Sequence, residues 1–438
     1  MHEGHSRSAR SVLAQAFLTA FLDLVGFSII FPLFPEMLRH YMAQAGGEGA
    51  LGALVEVSTR LAGSGGNADA LVSALFGGIL GSLYSLAQFA FAPIWGTISD
   101  RMGRRPTLLI TLTGTAIAHA GWVLAGSFEV LVLARIFGGI MAGNVSTISA
   151  VAADVSSKEG RSRAMGLVGA AIGLGFIVGP AIGGISYAFK PAEHWPGLVA
   201  YGVNPFSGPA AISLALSLVN LVIVAVAFPE TLSRERRSES TGLRSANPLA
   251  LFRSTGVEGV GRVNFVYFVF QTAFSAMEFS LVFLTVERFR YGPMDNAVMF
   301  VFVGFVIASV QGGALRPLSK RFPETRLAIG GMSLVTVGML GVAGSSRPAH
   351  LFPALFVLAA GSALVMPSLS ALASRYASSE RQGLALGMFR SAGALSRAVG
   401  PMLGGAIYWQ LGSASPTLVA ALLLTVPITL AFSLPEPS

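Results

Sequence analysis

Cysteine is absent from this chain of 438 residues. Its absence excludes disulfide bonds, thiolate metal sites and cysteine nucleophiles. Charged residues are also scarce: they make up 11% of the chain, whereas soluble domains carry about 25%. So few charges cannot cover a surface that faces water, and the composition therefore indicates an integral membrane protein. The sequence also shows no zinc-binding, phosphate-binding-loop or nucleophile-elbow motif, which argues against an enzyme.

Long apolar runs are abundant instead, since 53% of the residues are hydrophobic. A run of roughly 20 such residues is long enough to cross a bilayer as a helix. The first run is too long for a cleavable signal peptide. We therefore predict an all-α polytopic membrane protein with twelve spans, at 14–38, 71–95, 107–126, 128–151, 164–188, 210–229, 263–287, 296–315, 326–345, 350–373, 383–409 and 414–433.

The lysines and arginines predict the orientation of these spans. Of the 29 basic residues, 20 fall in the termini and the connections of one side, 6 in the connections of the other side, and 3 within spans. Basic residues concentrate on the cytoplasmic side of membrane proteins. We therefore expect both termini in the cytoplasm. If the source is bacterial, we expect the protein in the inner membrane. The net charge of +8 is thereby explained without a nucleic-acid partner.

The two halves of the chain repeat each other. The sequence Gly-Pro-x-x-Gly-Gly occurs at 179–184 in the fifth span and again at 400–405 in the eleventh. Internal duplication of this kind is typical of transporters in which two bundles rock around a site near the midplane. We predict an N-terminal six-helix bundle at 1–229, a cytoplasmic linker at 230–262 and a C-terminal bundle at 263–438. A short surface helix is expected at 51–61, in the first outer loop.

The connection between the second and third spans, at 96–106, reads G-x-x-x-D-R-x-G-R-R-P. An acid here can bind the positive end of a helix, and arginines can reach carboxylates or the negative ends of helices. The positive-inside rule alone accounts for the arginines but gives no reason for the acid. The corresponding position of the second half holds Lys320. The candidate residues of this turn are Gly96, Asp100, Arg101, Gly103 and Arg104.

The fifth span carries small residues every three or four positions, and these allow another helix to approach closely. Its proline removes one backbone hydrogen bond and permits a bend. The stripe is therefore either a plain packing seam or a hinge. The residues concerned are Gly175, Gly179, Pro180, Gly183 and Gly184.

Ionisable residues inside spans are costly and are treated as functional by default. Withdrawal from water favours the protonated form of a carboxyl group, so an acid here can bind and release a proton. Asp23 either does so or forms a fixed ion pair with Arg135. Arg397 needs an acid, for which Glu278 is the candidate, or else an anionic substrate. The predicted proton or substrate residues are Asp23, Arg135, Gln271, Glu278, Arg390 and Arg397.

The turn at 96–106, the glycine stripe of the fifth span and the first-span pattern D-x2-G-x5-P-x2-P at 23–35 together resemble the major facilitator superfamily. Within it they are similar to the twelve-helix drug/proton antiporters of the tetracycline-efflux type. The resemblance implies a latch at the turn that holds the bundles in the outward-facing state, and a hinge in the fifth span that also restricts ion leak. It implies a monomer that moves a small amphipathic organic compound in exchange for protons, needing a proton gradient and no cofactor or metal.

Two other interpretations stay open from the sequence. Three arginines within spans outnumber two acids, which suits organic anions better than lipophilic cations. The run at 75–81 also looks like that of eukaryotic relatives thought to carry organic anions. The alternative from another class is a membrane sensor that does not transport, for which a linker of about thirty residues is short.

Overall fold

The computed structural model describes residues 2–45, 52, 56, 68–157, 161–234, 237, 259–377 and 382–434. Within these ranges all regular secondary structure is helical. Most of the predicted linker at 230–262 lies outside the described residues, as does most of the surface helix expected at 51–61. Those two predictions therefore stay predictions.

Twelve long helices coincide with the twelve predicted spans, and we number them accordingly. Among the described residues, ten helical segments are long and apolar enough to cross a membrane. The third and eleventh helices, of 20 and 30 residues, complete the set because they pack lengthwise against the sixth and the seventh. The helices are α1 (His2–Ser28, continued by Phe34–Ala45), α2 (Ala68–Met102), α3 (Arg104–Val123), α4 (Phe128–Met141 and Asn144–Asp154), α5 (Arg161–Ser186), α6 (Ser207–Ala227), α7 (Val260–Phe289), α8 (Pro293–Ser309, continued by Leu315–Arg321), α9 (Glu324–Gly344), α10 (Pro348–Tyr376), α11 (Gln382–Leu411) and α12 (Ser415–Leu423 and Thr425–Phe432).

The first helix is longer than the predicted span and is interrupted within it. A short 3₁₀ turn at Phe31–Leu33 separates its two parts, because Pro32 and Pro35 have no backbone N–H to continue the helical ladder. The second part extends to Ala45, seven residues beyond the predicted end. Tyr41 holds it in place by donating a hydrogen bond to the carbonyl oxygen of Ala125, at 2.6 Å.

The fourth helix is broken at Ala142 and Gly143, inside the predicted span. Carbonyl groups freed by a break need partners in an apolar environment, and α2 supplies them. The indole of Trp95 donates to the carbonyl oxygen of Ile140 at 2.6 Å, and the Gln88 amide donates to that of Ala142 at 3.4 Å. A side chain at Gly143 would collide with the Trp95 ring. Contacts with α2 therefore stabilise the break in α4.

The repeat detected in the sequence is a repeat of packing. Glycines of α5 lie against the backbone of α1, where a β-carbon at Gly179 or Gly183 would meet Val25 or Ile29. In the second half, Gly404 of α11 lies in the same way against the backbone of α7. Close helix approach through small residues thus forms one equivalent seam in each bundle.

The two bundles meet closely near the ends of the helices that we expect to face outside. There, Gly78 of α2 lies against the carbonyl oxygen of Pro401 in α11. Gly184 of α5 lies against Pro293 and Ala297 at the start of α8. At these two glycines the helices of the two bundles approach each other closely, so the bundles are in direct contact on this side.

Candidate functional site

A cavity of about 510 Å³ lies between the two bundles, and we call it the central cavity. Helices α1, α2 and α5 form one wall, and α7, α8 and α11 form the other. Aromatic rings dominate the lining, which contains six phenylalanines and two ionisable side chains. The lining residues are Phe27, Phe31, Phe34, Gly81, Ser85, Phe176, Ser275, Glu278, Phe279, Val282, Phe300, Arg397 and Pro401.

Glu278 and Arg397 are the two ionisable residues of this lining, and the sequence predicted both. Among the described residues, no carboxylate oxygen lies within the 4 Å ion-pair distance of the Arg397 guanidinium. The guanidinium lies instead over the ring of Phe176, 5.7 Å from its centroid. Arg397 therefore lies against an aromatic wall without an ion pair inside that distance, and its charge interacts electrostatically with Glu278 across the cavity. The predicted residue Gln271 is buried two helical turns before Glu278 and does not line the cavity.

Asp23 lies inside the N-terminal bundle and is only 9% exposed. The amide nitrogen of Asn144 donates a hydrogen bond to its carboxylate at 2.9 Å. The hydroxyl group of Thr111 in turn donates to the amide oxygen of Asn144. Asn144 is the first residue after the break in α4, so the break places the amide opposite Asp23. The carboxylate is thus linked to α3 and α4 by a chain of neutral groups.

Arg135 does not pair with Asp23, although the sequence left that pairing open. No guanidinium nitrogen of Arg135 lies within 4 Å of a carboxylate oxygen of Asp23. The guanidinium carbon lies 5.2 Å from the ring centre of Phe27 and 4.7 Å from that of Tyr84. Two aromatic faces therefore hold this buried cation, and cation–π attraction stabilises it there.

Arg390 lies outside the central cavity and connects the two bundles. Its guanidinium donates to the hydroxyl group of Ser149 in α4 at 2.5 Å and to the carbonyl oxygen of Met165 in α5 at 2.8 Å. All three residues lie on the side of the cavity that we expect to face the cytoplasm. The structure therefore places Arg390 at an inter-bundle contact, seven residues before Arg397 on the same helix.

The turn at 96–106 is organised around Arg104, which is buried. Its guanidinium contacts the carboxylates of Asp100 at 2.6 Å and Asp154 at 2.8 Å. The carboxylate of Glu230 accepts hydrogen bonds from the first backbone N–H groups of α3, where the helix dipole favours a negative charge. Gly103 has φ +108° and a β-carbon there would overlap Glu230. These contacts connect the turn to α4 of the same bundle and to Glu230, the first residue of the predicted linker.

The remaining predicted glycines differ in their surroundings. Gly175 lies against Leu24, whereas nothing lies within 4 Å of a β-carbon placed at Gly96. Ser28 reinforces the α1–α5 seam by donating to the carbonyl oxygen of Gly175 at 3.0 Å. Pro180 lies inside the continuous helix α5. The structure therefore shows a packing seam at the stripe, and the hinge stays a prediction.

Four polar residues within spans join helices of the N-terminal bundle through hydrogen bonds. His119 bonds to Ser217 at 2.8 Å, and the Asn220 amide donates to the carbonyl oxygen of Thr19 at 3.0 Å. Gln88 and Asn144 make the bonds described above. The phenylalanines of the central cavity and the acids Asp154 and Glu230 were not identified from the sequence. The high phenylalanine count of 30 was the available signal for the former.

Comparison with known proteins identifies the family. The sequence model described as "Major Facilitator Superfamily" matches residues 16–343 and 314–438. Major facilitator superfamily domain-containing protein 10 of Mus musculus is 32% identical over 98% of this chain and 94% of its own length. Tetracycline resistance protein, class C, of Escherichia coli is 29% identical over 89% of this chain and 88% of its own. The crystal structure of the human organic anion transporter MFSD10 (TETRAN) superimposes with a TM-score of 0.78 at 30% identity, covering 97% of this chain and 99% of that one.

The chain therefore belongs to the Major Facilitator Superfamily. It is a multi-pass membrane transporter of a small molecule and not an enzyme, in agreement with the predicted class. The all-α fold of twelve helices in two bundles is confirmed.

Proposed function

We propose that this protein moves amphipathic organic anions through the central cavity and couples their movement to protons. The observation that carries the proposal is the pairing, in one cavity of about 510 Å³, of six phenylalanines with an arginine that has no ion-pair partner among the described residues. Ligand sites with mainly apolar and aromatic walls and a few charged groups suit small organic molecules.

The two chemical features of the cavity suit the two ends of such a molecule. The phenylalanine rings of both bundles take up an apolar or aromatic body, which gains stability by leaving water. A guanidinium binds a carboxylate or sulfonate through two parallel hydrogen bonds. Arg397 is the residue of the cavity that offers them. The likeness to the human organic anion transporter over nearly the whole chain supports the same class of substrate.

Glu278 supplies a route for proton coupling because it lines the same cavity as Arg397. When Glu278 is ionised, it attracts the guanidinium and repels an anionic substrate. When it is protonated, Arg397 is available to the anion. Proton and anion then favour each other's binding, and both cross in the same direction. Asp23 is a second acid whose protonation weakens a bond between α1 and α4.

The second candidate is exchange of a drug-like lipophilic cation for protons; the likeness to tetracycline resistance proteins supports a drug-like substrate. Its supporting observation is again Glu278, because a cation that binds the ionised carboxylate competes with the proton. Competition between substrate and proton gives exchange, with the two moving in opposite directions. The charge of the substrate and the direction of coupling are therefore linked.

Arg390 provides the inner closure of the transport cycle in this proposal. The two bundles are in direct contact on the outer side at Gly78 and Gly184, whereas Arg390 connects α11 to α4 and α5 on the other side of the cavity. Opening toward the cytoplasm requires both of these hydrogen bonds to break. The described conformation thus corresponds to an occluded state.

Uptake into proteoliposomes distinguishes the two candidates. A fluorescent organic anion and a fluorescent organic cation are offered separately, with the acidic side of the membrane first outside and then inside. Anion cotransport predicts accumulation of the anion when the outside is acidic.

Arg397→Gln should weaken anion binding about 10- to 150-fold, as expected for loss of a charge-assisted hydrogen bond of about 1.5–3 kcal/mol. Arg375→Gln, which removes an exposed cation from a surface ion pair, is the matched control and should leave uptake unchanged. If only the cation accumulates, and only when the interior is acidic, anion cotransport is excluded and cation exchange is supported.

A further inference from the structure

A second and smaller cavity lies inside the N-terminal bundle, separate from the central cavity. It lies between α2, α3 and α4 and has room for about one water-sized occupant. Its polar lining residues are Tyr84, Thr115, His119, Trp122 and Arg135. The rings of Phe27 and Tyr84, 4.4 Å apart, lie between it and the central cavity. The proposed transport function makes no use of this space.

Three hydrogen-bond donors of the side chains that line this cavity have no partner among the described residues. They are Nε and Nη2 of Arg135 and Nε1 of Trp122. Both side chains are deeply buried, with 4% and 1% of their surface exposed. Buried donors are satisfied in the great majority of cases, so three orphaned donors around one space call for an occupant.

The charge of Arg135 indicates what kind of occupant this is. A guanidinium stays protonated in proteins, and a buried cation without a counter-charge is strongly unfavourable. No carboxylate of a described residue lies within 4 Å of it. Asp23, which also interacts electrostatically with Tyr84, accepts its hydrogen bond from Asn144 instead. The aromatic faces of Phe27 and Tyr84 stabilise the cation but accept none of its hydrogen bonds in the guanidinium plane.

We propose that this cavity is a binding site for a small inorganic anion of the size of chloride. Guanidinium and indole N–H groups are hydrogen-bond donors only, so an ion that accepts hydrogen bonds and carries a negative charge satisfies all three groups at once. The cavity is too small for an amphipathic organic substrate. The anion neutralises Arg135 behind the aromatic wall of the central cavity and stabilises α2, α3 and α4 against one another.

Bromide tests the proposal directly because contact with this ion quenches indole fluorescence. The purified full-length protein is titrated with sodium bromide in place of sodium gluconate, at constant ionic strength and without organic substrate. We expect a saturable quenching component in the wild-type protein. Trp122→Phe should abolish it. Trp195→Phe removes an exposed indole and should retain the saturable component. It should lose only the collisional quenching that increases in proportion to the bromide concentration.

Thermal unfolding provides a second readout that does not depend on fluorescence of one residue. Chloride should raise the unfolding temperature of the wild-type protein over gluconate, and Trp122→Phe should require about tenfold more chloride for the same shift, the equivalent of one hydrogen bond. Arg135→Gln should show no specific effect of chloride. Because that variant removes a buried charge and can fail to fold, the Trp122→Phe comparison stands on its own. Equal unfolding temperatures in chloride and gluconate, or equal quenching in the wild type and Trp122→Phe, would show that the cavity holds water and would overturn the proposal.

Discussion

Removal of the Arg390 guanidinium should open the cavity toward the cytoplasm. Arg390→Gln deletes two hydrogen bonds between the bundles, to Ser149 and to the carbonyl oxygen of Met165. Each bond from a charged donor contributes about 1.5–3 kcal/mol net. The loss of both bonds, about 3–6 kcal/mol, should change the ratio of open to closed molecules by at least about 150-fold. Ser149→Ala removes one bond and should give a smaller change in the same direction.

The absence of cysteine makes this prediction simple to measure. Ser85 is buried and lines the central cavity, so Ser85→Cys introduces a single thiol there with little change in size. A membrane-impermeant maleimide is applied from each side of the membrane in turn. With Arg390→Gln, labelling from the cytoplasmic side should accelerate, whereas labelling from the outer side should not.

The control replaces another arginine of the same bundle. Arg262 donates to the backbone of Ser433, a contact that does not cross between the bundles, so Arg262→Gln should leave the labelling rate unchanged. If Arg390→Gln labels at the same rate as the parent from both sides, Arg390 does not close the cavity and the occluded interpretation is wrong.

Three further predictions concern other parts of the molecule. Gly179→Ala should destabilise the protein by about 1–3 kcal/mol in thermal unfolding, because its β-carbon meets the backbone of α1, whereas Gly169→Ala, in open space, should not. A larger effect of Gly169→Ala would contradict the packing seam. Arg104→Gln removes the ion pairs of a buried guanidinium with Asp100 and Asp154 and should lower stability by about 2–4 kcal/mol. Arg105→Gln, at an exposed guanidinium contact, is the milder control. Asp23→Asn should abolish gradient-driven uptake in a folded protein, and full uptake by that variant would exclude Asp23 from proton coupling.

The sequence predicts the architecture well because the architecture depends on properties of long segments rather than on single contacts. Twelve apolar runs, the distribution of basic residues and the duplicated glycine pattern are each visible without knowledge of contacts. The break in α4 was missed because Ala142 and Gly143 continue an apolar run, and the partners that stabilise the break, Gln88 and Trp95, lie on another helix. Helix interruptions of this kind depend on tertiary contacts rather than on local propensity.

The individual site residues were predictable but their partners were not. Asp23, Glu278 and Arg397 stand out because ionisable groups within spans are rare. The sequence suggested Arg135 as a partner for Asp23 on the basis of opposite charge. The structure instead places Asn144 there, 121 residues away along the chain. Which residues face one another depends on the rotation of each helix about its axis, and hydropathy alone does not determine that rotation.

The sequence did not identify the phenylalanines of the central cavity for a related reason. In an apolar span a phenylalanine facing lipid and one facing a cavity contribute equally to hydropathy. Phe27 and Phe176 pack edge to face at 5.8 Å across α1 and α5, and only the helix positions show that both line the cavity. The sequence thus singled out the two charged residues of the cavity lining, Glu278 and Arg397, and missed its phenylalanines.

Uptake of a fluorescent organic anion by Glu278→Gln proteoliposomes tests most directly whether Glu278 and Arg397 couple a proton to an anion. The wild-type protein should accumulate the anion when the outside is acidic. The variant, whose side chain is permanently neutral, should bind the anion and equilibrate it across the membrane without accumulating it. Accumulation by Glu278→Gln equal to that of the wild type would contradict the account.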